Sequence, residues 1–291
     1  MKILLLGAHG QVGWELQRSL APLGEVHAAD RSQADLEQPD SLRRQVAQVQ
    51  PDVIVNAAAH TAVDRAESEP DRAHAINAEA PGLLARLAAE RGAWLVHYST
   101  DYVFDGSGSR PWLEDDPTGP LSVYGRTKLA GEEAIRASGA RHLIFRTSWV
   151  YASRGGNFAR TMLRLGAERE VLRVIDDQIG APTGADLIAD VTAHALRQAL
   201  AQGITGTFHL APAGETSWHG YAQFVFDAAR RLKPDLPLKV QTVEAIPTSA
   251  YPTPAQRPLN SRLDTNRLQS TFGLHLPHWH TGVLRMLHET L

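Results

Sequence analysis

The sequence contains no cysteine among its 291 residues. That excludes a disulfide framework, thiolate metal sites and cysteine nucleophiles, and it fits a reducing compartment. Long apolar runs are missing too. The first, Ile3 to Leu6, stops at Gly7, too short for the core of a signal peptide and far too short to cross a bilayer. No later stretch is long enough to cross one either, so a cytoplasmic protein is expected. A strong charge of one sign is also absent. The net charge of -3 offers no general field for nucleic acid or an anionic membrane. Internal repeats, low-complexity tracts and flexible linkers do not occur. What remains is the composition of a globular protein, 43% hydrophobic and 21% charged, with enough chain for one large or two modest domains.

Lys2 to Gly7 reads as a short apolar strand ending in glycine, the kind found in parallel sheets covered on both faces. Gly7-Ala8-His9-Gly10-Gln11-Val12-Gly13 comes next, then the helical Trp14 to Leu20. Glycines between a strand and a helix let the backbone approach a pyrophosphate, and the helix start supplies free N–H groups. The same glycines also suit a plain strand-turn-helix packed by small residues. Val26 to Ala29 is a second strand, ending at Asp30. A carboxylate there can hold the adenosine ribose hydroxyls and repel a 2′-phosphate, whereas Arg31 can accept that phosphate. The pattern leans to NADH and leaves NADPH open. Asp35-Leu36 follows, either near the adenine or as a loop or cap.

Val53 to Val55 is the third strand and runs into Asn56-Ala57-Ala58-Ala59-His60-Thr61. Small residues at a strand's C-terminal end leave room for a ligand. His60 reads as a ligand contact or as a hydrogen-bonded loop histidine. Asp64, Glu67, Glu69 and Asp71 read as solvated carboxylates around a helix start. Ala73 to Arg91 is expected to be one long helix, with Asn77 at a cofactor-facing kink. Trp94 to Tyr98 is the fourth strand. Ser99 or Thr100 at its end can donate to a substrate carbonyl. After a loop over Asp105 to Thr118 comes Tyr124-Gly125-Arg126-Thr127-Lys128. In a helix the phenol and the ammonium share one face, and the cation lowers the tyrosine pKa from about 10. A surface tyrosine beside a solvated lysine has the same spacing.

Leu143 to Phe145 is a further strand, with Trp149 just beyond it as a core residue or a site residue. Helices are expected over 158–165, 185–200, 221–232 and 279–291, strands over 171–174 and 207–210, and an ordered proline-bearing loop over 246–258. The fold class is α/β. A Rossmann-type doubly wound parallel sheet occupies 1–150, with some later chain returning to it. A smaller mixed α/β substrate lobe occupies 151–291.

The glycine fingerprint, Asn56 to Ala59, Ser99-Thr100-Asp101-Tyr102-Val103-Phe104 and Tyr124-x-x-x-Lys128 occur in this order. Together they resemble the extended short-chain dehydrogenase/reductase superfamily. Within it the chain is similar to the dTDP-4-dehydrorhamnose reductases. Phe145 to Tyr151, Asp177 to Thr183 and Pro252 to Ser261 carry the similarity through the later chain. The resemblance implies NAD(P)H-dependent reduction of the C4 ketone of dTDP-4-dehydro-L-rhamnose to dTDP-L-rhamnose, a step of cell-surface polysaccharide synthesis. It assigns the dinucleotide to Gly7, Gly10, Gln11, Val12, Asp30, Asp35, Leu36, Ala59, His60, Thr61 and Tyr98, together with Tyr124 and Lys128. Tyr124 is then the proton donor, Lys128 holds the nicotinamide ribose, and Thr100 bonds the carbonyl oxygen. The substrate falls to Thr100, Asp101, Trp149 and Arg257. Arg257 suits a diphosphate through bidentate bonds and equally suits a structural loop.

Some members of the family form homodimers around magnesium held by carboxylates. The matching positions are Glu15, Asp186 and Glu289, and Asp186 stands where the family pattern has the longer glutamate. Two other readings share the fold or the cofactor. A nucleotide-sugar epimerase or dehydratase also uses the Tyr/Lys pair, but a dehydratase has Asp-Glu after its threonine, where this chain has Asp101-Tyr102. A non-catalytic dinucleotide-binding subunit, similar to the regulatory subunit of methionine adenosyltransferase, does not need the intact Thr100, Tyr124 and Lys128 set.

Overall fold

Every residue of strand β1 (Lys2–Leu6) after Lys2 is apolar and buried. Ile3 and Leu5 enter one core while Leu4 and Leu6 enter another, as side-chain alternation along a strand requires. A strand buried on both faces needs helices on both sides of its sheet. The computed structural model describes residues 1–291 and has this arrangement. After β1 come α1 (Gln11–Leu20), β2 (Glu25–Ala29), α2 (Pro39–Val49) and β3 (Val53–Asn56). β2 pairs with one edge of β1 and β3 with the other, both parallel. The strand order therefore reverses at β1. The crevice at its C-terminal end is where open α/β sheets bind ligands.

The chain continues through α3 (Val63–Ser68), α4 (Pro70–His74), one π-helical turn (Ala75–Glu79) and α5 (Ala80–Arg91). The single long helix expected over 73–91 is thus interrupted. Pro81 has no N–H to offer the carbonyl of Asn77, four residues before it, and its ring would crowd that carbonyl. The π turn absorbs the conflict. The freed Asn77 carbonyl packs against Gly131, where an added Cβ would lie only 2.1 Å from the oxygen.

β4 (Trp94–Thr100), α6 (Val123–Ala137) and β5 (Arg141–Thr147) extend the sheet. The second lobe holds β6 (Val150–Tyr151), α7 (Phe158–Glu168), β7 (Val171–Ile175), β8 (Ile179–Gly180) and β9 (Thr183–Gly184). The chain then returns. α8 (Ala185–Gln202) and β10 (Gly206–His209) rejoin the first lobe. The finished sheet is parallel and six-stranded, in the order β10-β5-β4-β3-β1-β2.

The rest of the chain is β11 (Thr216–Ser217), α9 (Trp218–Leu232), β12 (Thr242–Ile246), α10 (Asn266–Phe272) and α11 (Trp279–Thr290). One face of the sheet is covered by α1, α8 and α10, the other by α2, α5 and α6. The second lobe has its own core under α7, α9 and α11, built on Tyr221, Phe226, Trp279 and Met286. No helix is long and apolar enough to cross a membrane.

Candidate active site

A cleft of 660 Å³ opens at the C-terminal ends of β1, β3 and β4. Gly7, Gly10, Gln11 and Val12 line one end. Ala59 and Thr61 line its middle, and Tyr98, Thr100, Asp101, Tyr124, Lys128 and Trp149 line the other end. Gly10 starts α1 with no side-chain cap, so the first-turn N–H groups have no intrahelical partner. Gly7 has φ +82, and a Cβ on Gly13 would lie 2.0 Å from the Gly7 oxygen. Bare backbone and uncapped N–H groups at a helix start fit the pyrophosphate of a dinucleotide.

Several expected cofactor residues stand outside this cleft. Asp30 follows β2 directly, and its Oδ1 accepts from Ser32 N at 2.8 Å and Ser32 Oγ at 2.6 Å. Those bonds hold the carboxyl below its usual range. Arg31 is engaged with Asp35 at 3.3 Å and with Glu37. Leu36 is a core residue that faces a separate cavity of 320 Å³ between α2 and α5. Asn77 binds both main-chain groups of His60, N–H at 2.8 Å and C=O at 3.0 Å. His60 Nε2 lies 3.4 Å from Glu69. The geometry therefore gives His60 the loop-holding reading. Asn77 sits at the expected kink but bridges His60 to Thr127 instead of facing the cofactor.

Of the acidic cluster, Asp71 is exposed as expected, but Asp64, Glu67 and Glu69 are paired. Asp64 takes two bonds from Arg257, at 2.8 and 3.2 Å. Glu67 accepts from Val123 N at 2.8 Å, and Glu69 accepts from Arg65 at 2.8 Å. The partners of Asp64 and Glu67 are distant in sequence, which is why composition alone missed them.

At the other end of the cleft, Ser122 caps α6 by accepting from Gly125 N at 3.1 Å. Thr100 Oγ1 donates to Asp101 at 3.0 Å and accepts from Tyr102 N at 3.2 Å. Tyr102 packs edge-on against Tyr124, with ring centroids 5.4 Å apart. Lys128 is buried. Its Nζ donates to the Tyr98 carbonyl at 2.6 Å and lies 3.1 Å from His97 Nε2. Nζ therefore bonds groups of β4, and no bond joins it to the Tyr124 phenol. Burial pushes the Tyr124 pKa up to about 12, outweighing the bond from Thr100, with the charge of Asp101 adding to the rise. This corrects the expected lowering by Lys128. Burial also brings Lys128 down to about 8, against the pull of Glu132, and raises Asp101 to about 6 against bonds from Ser261 and Thr100.

Trp149 has φ +50, a strained conformation for a bulky residue. Its indole stacks on Trp218 with centroids 3.6 Å apart. Trp218 lines both the cleft and a second cavity of 600 Å³, which Phe158, Met162, Val174 and Arg257 also line. Trp218 Nε1 donates to Gln178 at 3.0 Å. Trp218 and Gln178 were not singled out from the sequence, where a tryptophan at a helix start has no chemical signature.

Glu15, Asp186 and Glu289 line one small cavity of 40 Å³. Arg285 reaches Asp186 at 3.4 Å and Glu289 at 3.2 Å, while Arg18 lies 3.7 Å from Glu15. No three metal-ligating side chains cluster here or elsewhere in the chain. Guanidinium groups already balance these carboxylates, so the set does not fit magnesium within one chain.

The family described as RmlD substrate binding domain matches residues 1–291. The chain is 57% identical over 295 residues to the dTDP-4-dehydrorhamnose reductase of Escherichia coli K12, covering 99% of this chain and 98% of that one. It is 52% identical to the dTDP-4-dehydrorhamnose reductase of Burkholderia thailandensis, covering 97% of each. Among solved structures it resembles the Bacillus anthracis dTDP-4-dehydrorhamnose reductase in complex with NADP, with a TM-score of 0.89, 33% identity and 99% of each chain covered. A Thermus thermophilus UDP-glucose 4-epimerase at 17% identity and TM-score 0.80 shares the fold.

α6 is anchored by Glu132, which takes bonds from Arg146 on β5 at 2.8 and 2.6 Å with almost no solvent access to either residue. Burial raises the Glu132 pKa, but Arg146 outweighs it and the net shift is downward. A lowered carboxyl pKa gives stability that is complete above the unfolded value, 4.5, and lost as pH falls through the folded one. Glu132→Gln should cost about 3–5 kcal/mol in urea unfolding at neutral pH and weaken the loss of stability on acidification. A cost below about 1 kcal/mol would contradict the anchoring role.

Proposed function

The chain belongs to the dTDP-4-dehydrorhamnose reductase family, and we propose from that membership how its cleft works. The protein is an NAD(P)H-dependent oxidoreductase that reduces the C4 ketone of dTDP-4-dehydro-L-rhamnose to dTDP-L-rhamnose. One observation carries the assignment of residues. Thr100, Tyr124 and Lys128 line the same cleft as the glycine-rich turn at Gly7 and Gly10.

The bound nicotinamide supplies the hydride that adds to C4. Tyr124 gives its phenolic proton to the oxygen that becomes the alcohol. Its raised pKa keeps the phenol protonated until that oxygen becomes a stronger base. Thr100 Oγ1 turns its one proton from Asp101 to the same oxygen, where a hydrogen-bond donor stabilises the developing negative charge. Lys128 in its charged form stabilises the phenolate left behind and holds the nicotinamide ribose.

The first lobe holds the dinucleotide, with Gly7, Gly10, Gln11 and Val12 at the pyrophosphate and Asp30 at the adenosine ribose. The second lobe holds the nucleotide sugar. Trp149, with Asp101, bounds the sugar. Arg257 exchanges Asp64 for the diphosphate, and the 600 Å³ cavity beyond Trp218 takes the nucleoside.

We also infer a cytoplasmic homodimer. Exposed Trp14 and Leu284 stand next in sequence to Glu15 and Arg285 of the carboxylate cavity, which supports this face as the contact. Magnesium is not assigned there, because Arg285 already pairs with two of the three carboxylates.

Tyr124→Phe should reduce kcat by about 10²–10⁴, with NADPH affinity by fluorescence titration nearly unchanged. Near-normal turnover would remove Tyr124 from its role. Sedimentation velocity should give a dimer whose mass is the same with and without EDTA. A monomer would contradict the dimer, and dissociation on chelation would return the cavity to magnesium.

A further inference from the structure

His97 lies on β4 and is fully buried, although nothing in the reaction consumes it. Asn56 sits opposite it on β3. Ala58 N donates to Asn56 Oδ1 at 3.2 Å, which fixes the orientation of the amide. Its nitrogen then faces His97 Nδ1 at 3.2 Å. An amide nitrogen only donates, so Nδ1 accepts. Burial alone keeps the ring neutral, holding it far below the ordinary histidine pKa. A neutral imidazole that accepts at Nδ1 carries its proton on Nε2. That N–H points at Lys128 Nζ, 3.1 Å away.

An ammonium has no lone pair with which to accept this bond. A neutral amine has one, and it can still donate to the Tyr98 carbonyl at 2.6 Å. For Lys128 to be charged with good bonds, the ring proton must move to Nδ1 and the Asn56 amide must turn. The turn sets the amide NH₂ against Ala58 N–H. We propose that His97 is a positioning residue that sets the protonation state of Lys128: held by Asn56 as the Nε2–H tautomer, it favours the neutral amine. The ammonium forms only together with a switch of the His97 tautomer and a turn of the Asn56 amide. The inference rests on Lys128 being the cation that serves Tyr124.

Burial also favours the neutral amine and the Glu132 charge opposes it, while the other groups around Lys128 are engaged elsewhere. Glu132 and Tyr124 lie one turn to either side of it on α6. The Glu132 charge is matched by Arg146 from β5 and Arg136 from α6. Asp101, just past β4, bonds Thr100. Glu67 from α3 is engaged at Val123 N. The π turn meets α6 through neutral Asn77 and Thr127. Tyr98 turns its hydroxyl to Thr192 on α8.

Two spectroscopic readouts and one kinetic readout test the proposal on the full chain. In ¹⁵N-histidine spectra, His97 should be protonated at Nε2 and not at Nδ1. Asn56→Asp supplies an acceptor in place of the amide donor and should reverse that tautomer. In ¹³Cε-lysine spectra, the Lys128 titration midpoint should rise by about one pH unit in His97→Gln, whose amide can turn its oxygen to Nζ. It should rise likewise in Asn56→Asp. The basic limb of the kcat/KM profile should move the same way. A role in packing alone would change stability or kcat and leave both midpoint and limb in place. An Nδ1–H tautomer in the unaltered protein, or an unmoved midpoint in both variants, would overturn the proposal. The tautomer is read without any substitution, so it tests the proposal even where a variant fails to fold. If the midpoints move but Tyr124→Phe keeps its turnover, the tuning stands and the proposed role of Tyr124 falls.

Discussion

Glu132 and Arg146 form an ion pair almost closed to solvent, one residue from α6 and the other from β5. Burying two charges is costly unless their remaining hydrogen-bonding groups are satisfied. Here they are: Arg146 also donates to the Glu114 carbonyl at 3.1 Å, and Glu132 takes a further bond from Arg136 at 3.0 Å. The pair pins the middle of α6 to the sheet. Gly131, one position before Glu132, lets the helix approach the π turn at Asn77. With the middle held, Tyr124 and Lys128 in the first turns of α6 stand over the ends of β3 and β4. The catalytic end of the cleft inherits its position from a contact that takes no part in the chemistry.

The two lobes meet across the cleft through a few directed contacts. Asp64 and Arg257 join α3 to the proline-bearing loop, and Trp149 stacks on Trp218 between the two cavities. Both contacts use groups suited to a nucleotide sugar, a guanidinium for a diphosphate and indoles for a ring. The protein thus satisfies its own polar groups with the residues it would offer the substrate. Substrate affinity is then a difference between two sets of good contacts, not the sum of new ones.

Much of the first lobe was legible in the sequence because its signals are local. An apolar run, spaced glycines and a helix start specify a dinucleotide turn within a dozen residues. The returning chain was foreseen in kind, and α8 and β10 supply it. The misreadings arise where a residue's partner lies far along the chain. Asp64 looked solvated because Arg257 is 193 positions away. The one-face argument placed Tyr124 near Lys128 but said nothing of where Nζ would point, nor that burial would raise the phenol pKa. β12 and α10 went unread, since β12 is largely exposed and α10 spans 7 residues with only Leu268 and Phe272 buried. His97 carried a usable clue: a histidine inside the apolar strand Trp94 to Tyr98 must be buried and must find partners.

On the proposed mechanism this cleft delivers hydride to a sugar C4 and releases the spent cofactor at every turnover. The direct measurement is turnover of dTDP-4-dehydro-L-rhamnose with NADH or NADPH deuterated at the transferring position, read by NMR of the product and by the oxidised cofactor set free. The expected product is dTDP-L-rhamnose carrying deuterium at C4, with one free oxidised cofactor for each product molecule. Product without deuterium, or cofactor that stays bound and is regenerated within the protein, would contradict it.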